Sequence, residues 1–170
     1  MTKYIALLHA VNVGGTGKLP MTELKALCDG LGFIGARTYI ASGNVVFKSD
    51  MSAAEVKAAL EQALEGHMGK PVGVQVRTQS EMQAVLEGNP FPGREGSRTL
   101  VVFIDTPPPA DTIEAATGQT TEEIVLGTRE VYIYYPDGMG RSKLKLPIVK
   151  TGTGRNINTV GKLAAMAAAF

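Results

Sequence analysis

Cysteine, histidine and tryptophan are nearly absent: one, two and none among 170 residues. Cys28 alone forms no internal disulfide and no cysteine zinc cluster. His9 and His67 are far from each other and from Cys28, so metal-ligand spacing is missing as well. No run reaches the ~20 apolar residues of a membrane-spanning helix. The N-terminus has no basic stretch leading into a long apolar one. The expectation is a reduced, cytoplasmic, soluble chain with no cofactor and no membrane partner. A surplus of one charge is also lacking. The formal net charge of +1 argues against a general polyanion binder.

The charge that is present is unevenly placed. Arg141, Lys143, Lys145, Lys150, Arg155 and Lys162 follow Gly138 with no acid among them. Asp105, Asp111, Glu114, Glu122, Glu123 and Glu130 precede them against Arg129 alone. Either the two segments neutralise each other within the fold or the basic one faces a ligand. The composition, 44% apolar and 19% charged, is that of a globular protein.

The stretch Val11 to Pro20 organises the first half. It carries Gly14, Gly15, Gly17 and Lys18 between a strand-like run, Tyr4 to Val11, and a helical one, Thr22 to Leu31. Arg37–Ala41 and Asn44–Lys48 read as a hairpin about Ser42-Gly43. Ser52-Ala53-Ala54-Glu55 is a capping box opening a helix that Gly66 ends, and Val72–Arg77 gives one more strand. Ser80 to Gln83 matches the capping pattern again, before a short helix ending at Gly88.

The resulting order, βαββαβ, is the ferredoxin-like split unit. Asn89 to Gly96, with two prolines and two glycines, marks a boundary, giving a first half at 1–88, a linker at 89–97 and a second half at 98–170. The second half repeats the opening: a strand at Arg98–Ile104, a short helix near Asp111–Ala116, strands about Gly127-Thr128, and a helix over Asn158–Ala169. Its last strand is missing or altered. The fold class expected is therefore α+β, two ferredoxin-like halves with mainly antiparallel sheets.

This topology brings Asn12–Lys18, Ser42–Asn44 and His67–Lys70 to one sheet edge, a polar, glycine-rich candidate for anion binding. It is not a familiar phosphate loop. Asn12 stands where the P-loop pattern needs its first glycine, and Leu19 where it needs a magnesium-binding hydroxyl. The dinucleotide fingerprint lacks its third glycine. The glycines also fit a purely irregular connection.

A second polar cluster, Thr151 to Thr159, runs into the last helix. Arg155, Asn156 and Asn158 there suit either an anion site or simple helix capping. His9, His67, Cys28 and Ser142-Lys143 form no nucleophile–base pair, so enzymatic activity is undecided at this level.

Tyr4-Ile5-Ala6-Leu7-Leu8, Asn12-Val13-Gly14-Gly15, Lys18-Leu19-Pro20-Met21, Thr38-Tyr39-Ile40, Ser42 to Phe47, Arg155-Asn156 and Asn158-Thr159 together resemble one bacterial group. It is the domain-of-unknown-function family 1697, and the resemblance spans Tyr4 to about Leu163. It implies two ferredoxin-like halves and brings no activity, substrate or catalytic residue. Family members usually carry Arg-Gly where this chain has His9-Ala10, and Lys145–Thr151 is shorter than usual.

The functional expectation is a phosphate-bearing ligand, nucleotide or nucleic acid, held between two lobes. Asn12, Gly14, Gly15, Ser42, Gly43 and Asn44 would supply donors and shape, Lys18 and Arg155 charge, with Asn156 and Asn158 at the helix start. A small phosphate-handling transferase or hydrolase, and a protein-interaction scaffold without a ligand, are the alternatives.

Overall fold

The structure, a computed structural model, describes residues 1–14 and 17–170. Gly15 and Thr16, which belong to the expected glycine loop, lie outside the described residues. The fold is α+β, with two four-stranded antiparallel sheets. The backbone packs into two compact units: Met1–Gln83 with Lys162–Phe170, and Ala84–Gly161.

In the first unit β1 (Thr2–Leu8) is one of two inner strands, paired on both sides and buried from Tyr4 to Leu8. It runs antiparallel to β3 (Asn44–Ser49) and to β4 (Val74–Thr78), and β2 (Ile34–Thr38) completes the order β2-β3-β1-β4. Between the strands run α1 (Met21–Gly30) and α2 (Ala53–Met68), so the expected split unit is present. Leu24 and Cys28 of α1, and Val56, Leu60 and Leu64 of α2, pack on one sheet face made of Tyr4, Ala6, Leu8, Val45, Phe47, Val74 and Val76. Each such side chain contributes roughly 1.5–3 kcal/mol by leaving water.

Several local boundaries differ from expectation for identifiable reasons. β1 stops at Leu8, because the backbone turns to positive φ at Ala10 (48°) and Asn12 (58°); His9 is therefore beyond the strand. The Ser52–Glu55 box forms reciprocally, and hydrogen bonds from Ser52 hold the Glu55 carboxyl below its usual range. Gly66 does not end α2. The helix continues to Met68, and Gly69, at φ 74°, supplies the left-handed cap. The second box is Thr78 with Glu81, two residues earlier than Ser80 with Gln83: Glu81 N donates to Thr78 Oγ1 (3.1 Å) and Thr78 N to Glu81 Oε1 (2.9 Å). It opens α3 (Gln79–Glu87).

The second unit repeats the sheet and has no α-helix between its strands. Strands β5 (Thr99–Phe103), β6 (Glu123–Leu126), β7 (Glu130–Tyr134) and β8 (Thr153–Asn156) lie in the order β6-β7-β5-β8, the same permutation as before. The last strand is thus kept. What is altered are the two crossovers. Asp111–Ala116 is a turn with one α-type bond, Ala115 N to Asp111 O, too short after three prolines to propagate a helix. The return from β7 runs through single 3₁₀ turns at Met139–Arg141 and Pro147–Thr151. The β6–β7 turn centres on Thr128-Arg129, one residue later than expected, because the Glu130 carboxylate accepts from both of their N–H groups.

Register makes the repeat explicit. Ile5 lies between Val46 and Arg77, and Val101 between Tyr132 and Arg155. Arg77 and Arg155 are therefore equivalent positions. Each is buried, and each guanidinium donates to the carbonyl just before it, Val76 O or Gly154 O, at 2.9 Å. Each also reaches the side chain two residues back, Gln75 Oε1 or Thr153 Oγ1. A capped helix follows each: α3 from Thr78, and α4 (Ile157–Ala168) from Asn156, whose Oδ1 accepts from Thr159 N at 2.9 Å.

Candidate functional site

The predicted meeting of three segments at one edge of the first sheet is observed. Leu8 N donates to Gly43 O and His9 N to Gly73 O, each at 2.9 Å, so the ends of β1, the β2–β3 connection and the approach to β4 are joined by backbone bonds. A Cβ placed on Gly17 would lie 3.4 Å from Met68 Cε and 3.6 Å from Lys70 Nζ, which sets the Lys70 ammonium against the glycine loop. Asn12, Gly14, Gly17, Lys18, Leu19, Pro20, Met21 and Ala41 line a hollow of about 360 Å³ at this edge.

Asn12 builds the hollow. Its φ of 58° suits asparagine better than most residues. Its Oδ1 accepts from Leu19 N at 2.7 Å, and its Nδ2 donates to Leu19 O at 2.9 Å and to Ala41 O at 2.8 Å. Its own N–H donates to Gly17 O at 3.1 Å. The side chain thus clips both ends of the loop to the neighbouring connection, and its two amide hydrogens are engaged there. Asn12 shapes the hollow; it has no spare donor to offer into it.

Asn44 braces the adjacent segment in the same way. It is fully buried, and its Nδ2 donates to Tyr39 O (2.8 Å) and Ser42 Oγ (2.9 Å). Gly43 is required by space as well as by φ (89°): a Cβ there would come within 2.8 Å of Val11 Cγ2 and 2.9 Å of Leu8 Cβ.

Charge at this edge comes from exposed Lys18 and from Lys70. Pro20 precedes α1 and no side chain caps it, so the first-turn N–H groups of α1 have no side-chain acceptor where Pro20 and Met21 line the hollow. Glu23 in that turn is turned to His67, with Nε2 to Oε2 at 2.8 Å. His9 stacks its ring on Gly73, where a Cβ would lie 3.0 Å from Nδ1, and its Nε2 is 3.4 Å from Gln75 Nε2.

The second expected cluster has a different character. Arg155 is buried on β8, and desolvation lowers its guanidinium pKa to about 10. Asn156 caps α4 through Thr159 N. Asn158 is exposed and packs against Gly96, where a Cβ would lie 2.1 Å from its Oδ1. These three residues belong to the second unit, whereas Asn12, Gly14, Lys18 and Ser42–Asn44 belong to the first. Arg77, the counterpart of Arg155, carried a signal in sequence that was missed: a polar residue, a spacer, Arg, then a helix-capping Thr or Asn, at the end of each half.

Other reactive groups are quiet. Cys28 is buried against α1's neighbours, and burial pushes its thiol pKa up to about 12. Among the described residues, no three His, Cys, Asp or Glu gather where one metal ion could be held. No helix among them is long and apolar enough to cross a membrane.

Comparison with known proteins agrees with this architecture. No curated protein matches the sequence. A solved structure described as that of conserved bacterial protein SP0830 from Streptococcus pneumoniae is similar at a TM-score of 0.81 and 26% identity, covering 98% of each chain. The model of the family described as "Protein of unknown function (DUF1697)" matches residues 1–132, and the chain belongs to that family.

Proposed function

We propose that the protein binds a phosphate-bearing ligand, a nucleotide or a nucleic-acid segment, at the polar edge of its first sheet. The observation that carries this reading is the Asn12 clip. It ties Leu19 to Ala41 beside the hollow, which opens onto the uncapped start of α1, with the Lys70 ammonium behind Gly17. A helix start without a side-chain cap offers backbone donors and a partial positive charge to an anion. Lys18 and Lys70 add full charges that need no large net charge on the protein. The rim at Gly14 is open, since a Cβ there would meet nothing within 4 Å, and its φ of 51° favours glycine.

The test is thermal denaturation with pyrophosphate, mononucleotides, and short DNA and RNA oligonucleotides, at low and moderate salt. A ligand present at ~100 times its dissociation constant adds about 2.7 kcal/mol. For a chain of this size that raises Tm by roughly 5–10 °C. Lys18→Ala with Lys70→Ala is expected to abolish the shift without lowering the Tm of the free protein by more than a degree or two. A panel in which no probe shifts Tm, or a double variant that binds as the parent does, would sink the proposal.

A further inference from the structure

The second unit keeps a sheet face that the first unit covers with two helices. Register equates Tyr4, Ala6 and Phe47 with Leu100, Val102 and Ile133. In the first unit α1 and α2 lie over the former set. In the second, a turn at Asp111–Ala116 and the single-turn strap 142–151 replace them, and Gly154 stands where the first unit has Val76. Less side-chain volume covers the same sheet. The result is a half-open cavity of about 480 Å³, entirely within this unit, lined by Leu100 and Ile133 of the sheet, by Leu144, Leu146 and Val149 of the strap, and by Tyr135.

The strap is held in place rather than loosely draped. Thr117 and Lys145 exchange backbone hydrogen bonds at 2.9 and 2.8 Å. Ser142 Oγ donates to Glu122 at 2.6 Å and accepts from Leu144 N at 3.1 Å. At Gly152 a Cβ would lie 2.4 Å from Phe103 O, so only glycine lets the strap close onto β5. The charged side chains on the lining are of one sign, with the Glu122 carboxylate outside it, behind Tyr135 and bound by Ser142. Lys145 and Lys150 are exposed on its lining and no acidic residue lines it. This is where the acid-free basic segment of the sequence comes to bear, independently of the glycine-loop edge.

We propose that this cavity binds a small anionic amphiphile, an apolar chain or ring seated on Ile133 and Leu100 with its carboxylate or phosphate head between Lys145 and Lys150. The volume lies within the roughly 300–1,000 Å³ of small-molecule sites, and an apolar interior with a few polar groups at the mouth is their usual make-up. A purely apolar ligand would leave both ammonium groups unused; a cationic one would be repelled by them.

Calorimetric titration of the full chain with decanoate, decanol and decyltrimethylammonium tests this. Decanoate is expected to bind saturably at one site with a negative heat-capacity change. Decanol should bind about tenfold more weakly and the cation not measurably, the difference matching two exposed ion pairs. Lys145→Glu with Lys150→Glu should weaken decanoate by tenfold or more and leave decanol unchanged, and Ala115→Trp should block both. The proposal is overturned by decanoate that fails to saturate below its micelle concentration, by equal binding of all three probes, or by binding indifferent to Ala115→Trp. A silent titration alongside concentration-dependent dimers that Ala115→Trp disrupts would overturn it in favour of a second copy of the chain.

Discussion

Replacing Asn12 with alanine isolates the clip that shapes the candidate site. Three side-chain hydrogen bonds disappear: Oδ1 from Leu19 N, Nδ2 to Leu19 O and Nδ2 to Ala41 O. A net ~1 kcal/mol per bond is typical, and the Ala41 bond, which is exposed, counts for less. Alanine must also hold the φ of 58°, at roughly 1–2 kcal/mol for a residue with a Cβ in the left-handed region. The total is about 3–5 kcal/mol, or roughly 6–20 °C in Tm for a protein of this length. Asn12→Gly loses the same bonds without the backbone cost, so it should fall about 1–2 kcal/mol short of alanine's effect. Asn12→Asp keeps the acceptor for Leu19 N but sets a carboxylate oxygen, which cannot donate, against Leu19 O and Ala41 O, so it should destabilise at least as much as glycine. Urea denaturation of the three variants, with m-values checked for constancy, measures all of this. An alanine variant within about 0.5 kcal/mol of the parent, or a glycine variant as unstable as the alanine one, would refute the assignment of Asn12 as the loop's fastening.

Three further outcomes follow from the same geometry. Gly43→Ala should destabilise by about 2–5 kcal/mol in urea melts, because φ is 89° and the new methyl would meet Val11 and Leu8 inside 3 Å. Thr78→Ala should lower stability by about 1 kcal/mol and Ser80→Ala by a few tenths, a comparison that reads directly which residue caps α3. Cys28 should resist a thiol reagent at pH 8 until the protein unfolds. Its folded-state pKa of about 12 lies above the ordinary 9.0, so the stability tied to its neutral thiol is complete below pH 9 and is lost as pH climbs towards 12. Denaturation midpoints of the parent and Cys28→Ala should accordingly converge at alkaline pH.

The first unit was legible in the chain because each of its elements writes its own period. Leu24 and Cys28, then Val56, Leu60 and Leu64, recur at helical spacing, and the buried run Tyr4–Leu8 has the density of an inner strand. From their order alone the shared edge followed. Boundaries slipped where two local signals competed: Gly66 stays helical because Gly69 ends the helix in a left-handed turn three residues later.

In the second unit β8 is only four residues long and contains Gly154, so no alternation announces it; pairing with β5 defines it. The candidate site divides the same way. Lys18, Lys70 and the loop were visible as residue types, but the engagement of Asn12 and Asn44 in bracing, and the burial of Arg155, depend on partners distant in sequence. The cavity over Ile133 left no motif, since it arises from helices that are not there.

The first unit is discontinuous in the chain, with Met1–Gln83 completed by Lys162–Phe170. The Phe170 ring rests on Gly35, beneath the Arg37 and Lys48 cations at 5.5 Å, and Gln79 Nε2 reaches Ala164 O. During synthesis the β1–β4 sheet therefore emerges well before the residues that finish its unit. At roughly 5–20 residues per second the interval is about 4–16 s, long compared with collapse of a small chain. Through that interval Ile5, Leu7 and Val46, fully buried in the finished protein, lack some of the unit they belong to. A chain ended before Lys162 therefore lacks part of its first unit for good, and it should melt lower and bind a dye for exposed apolar surface more strongly than the full chain.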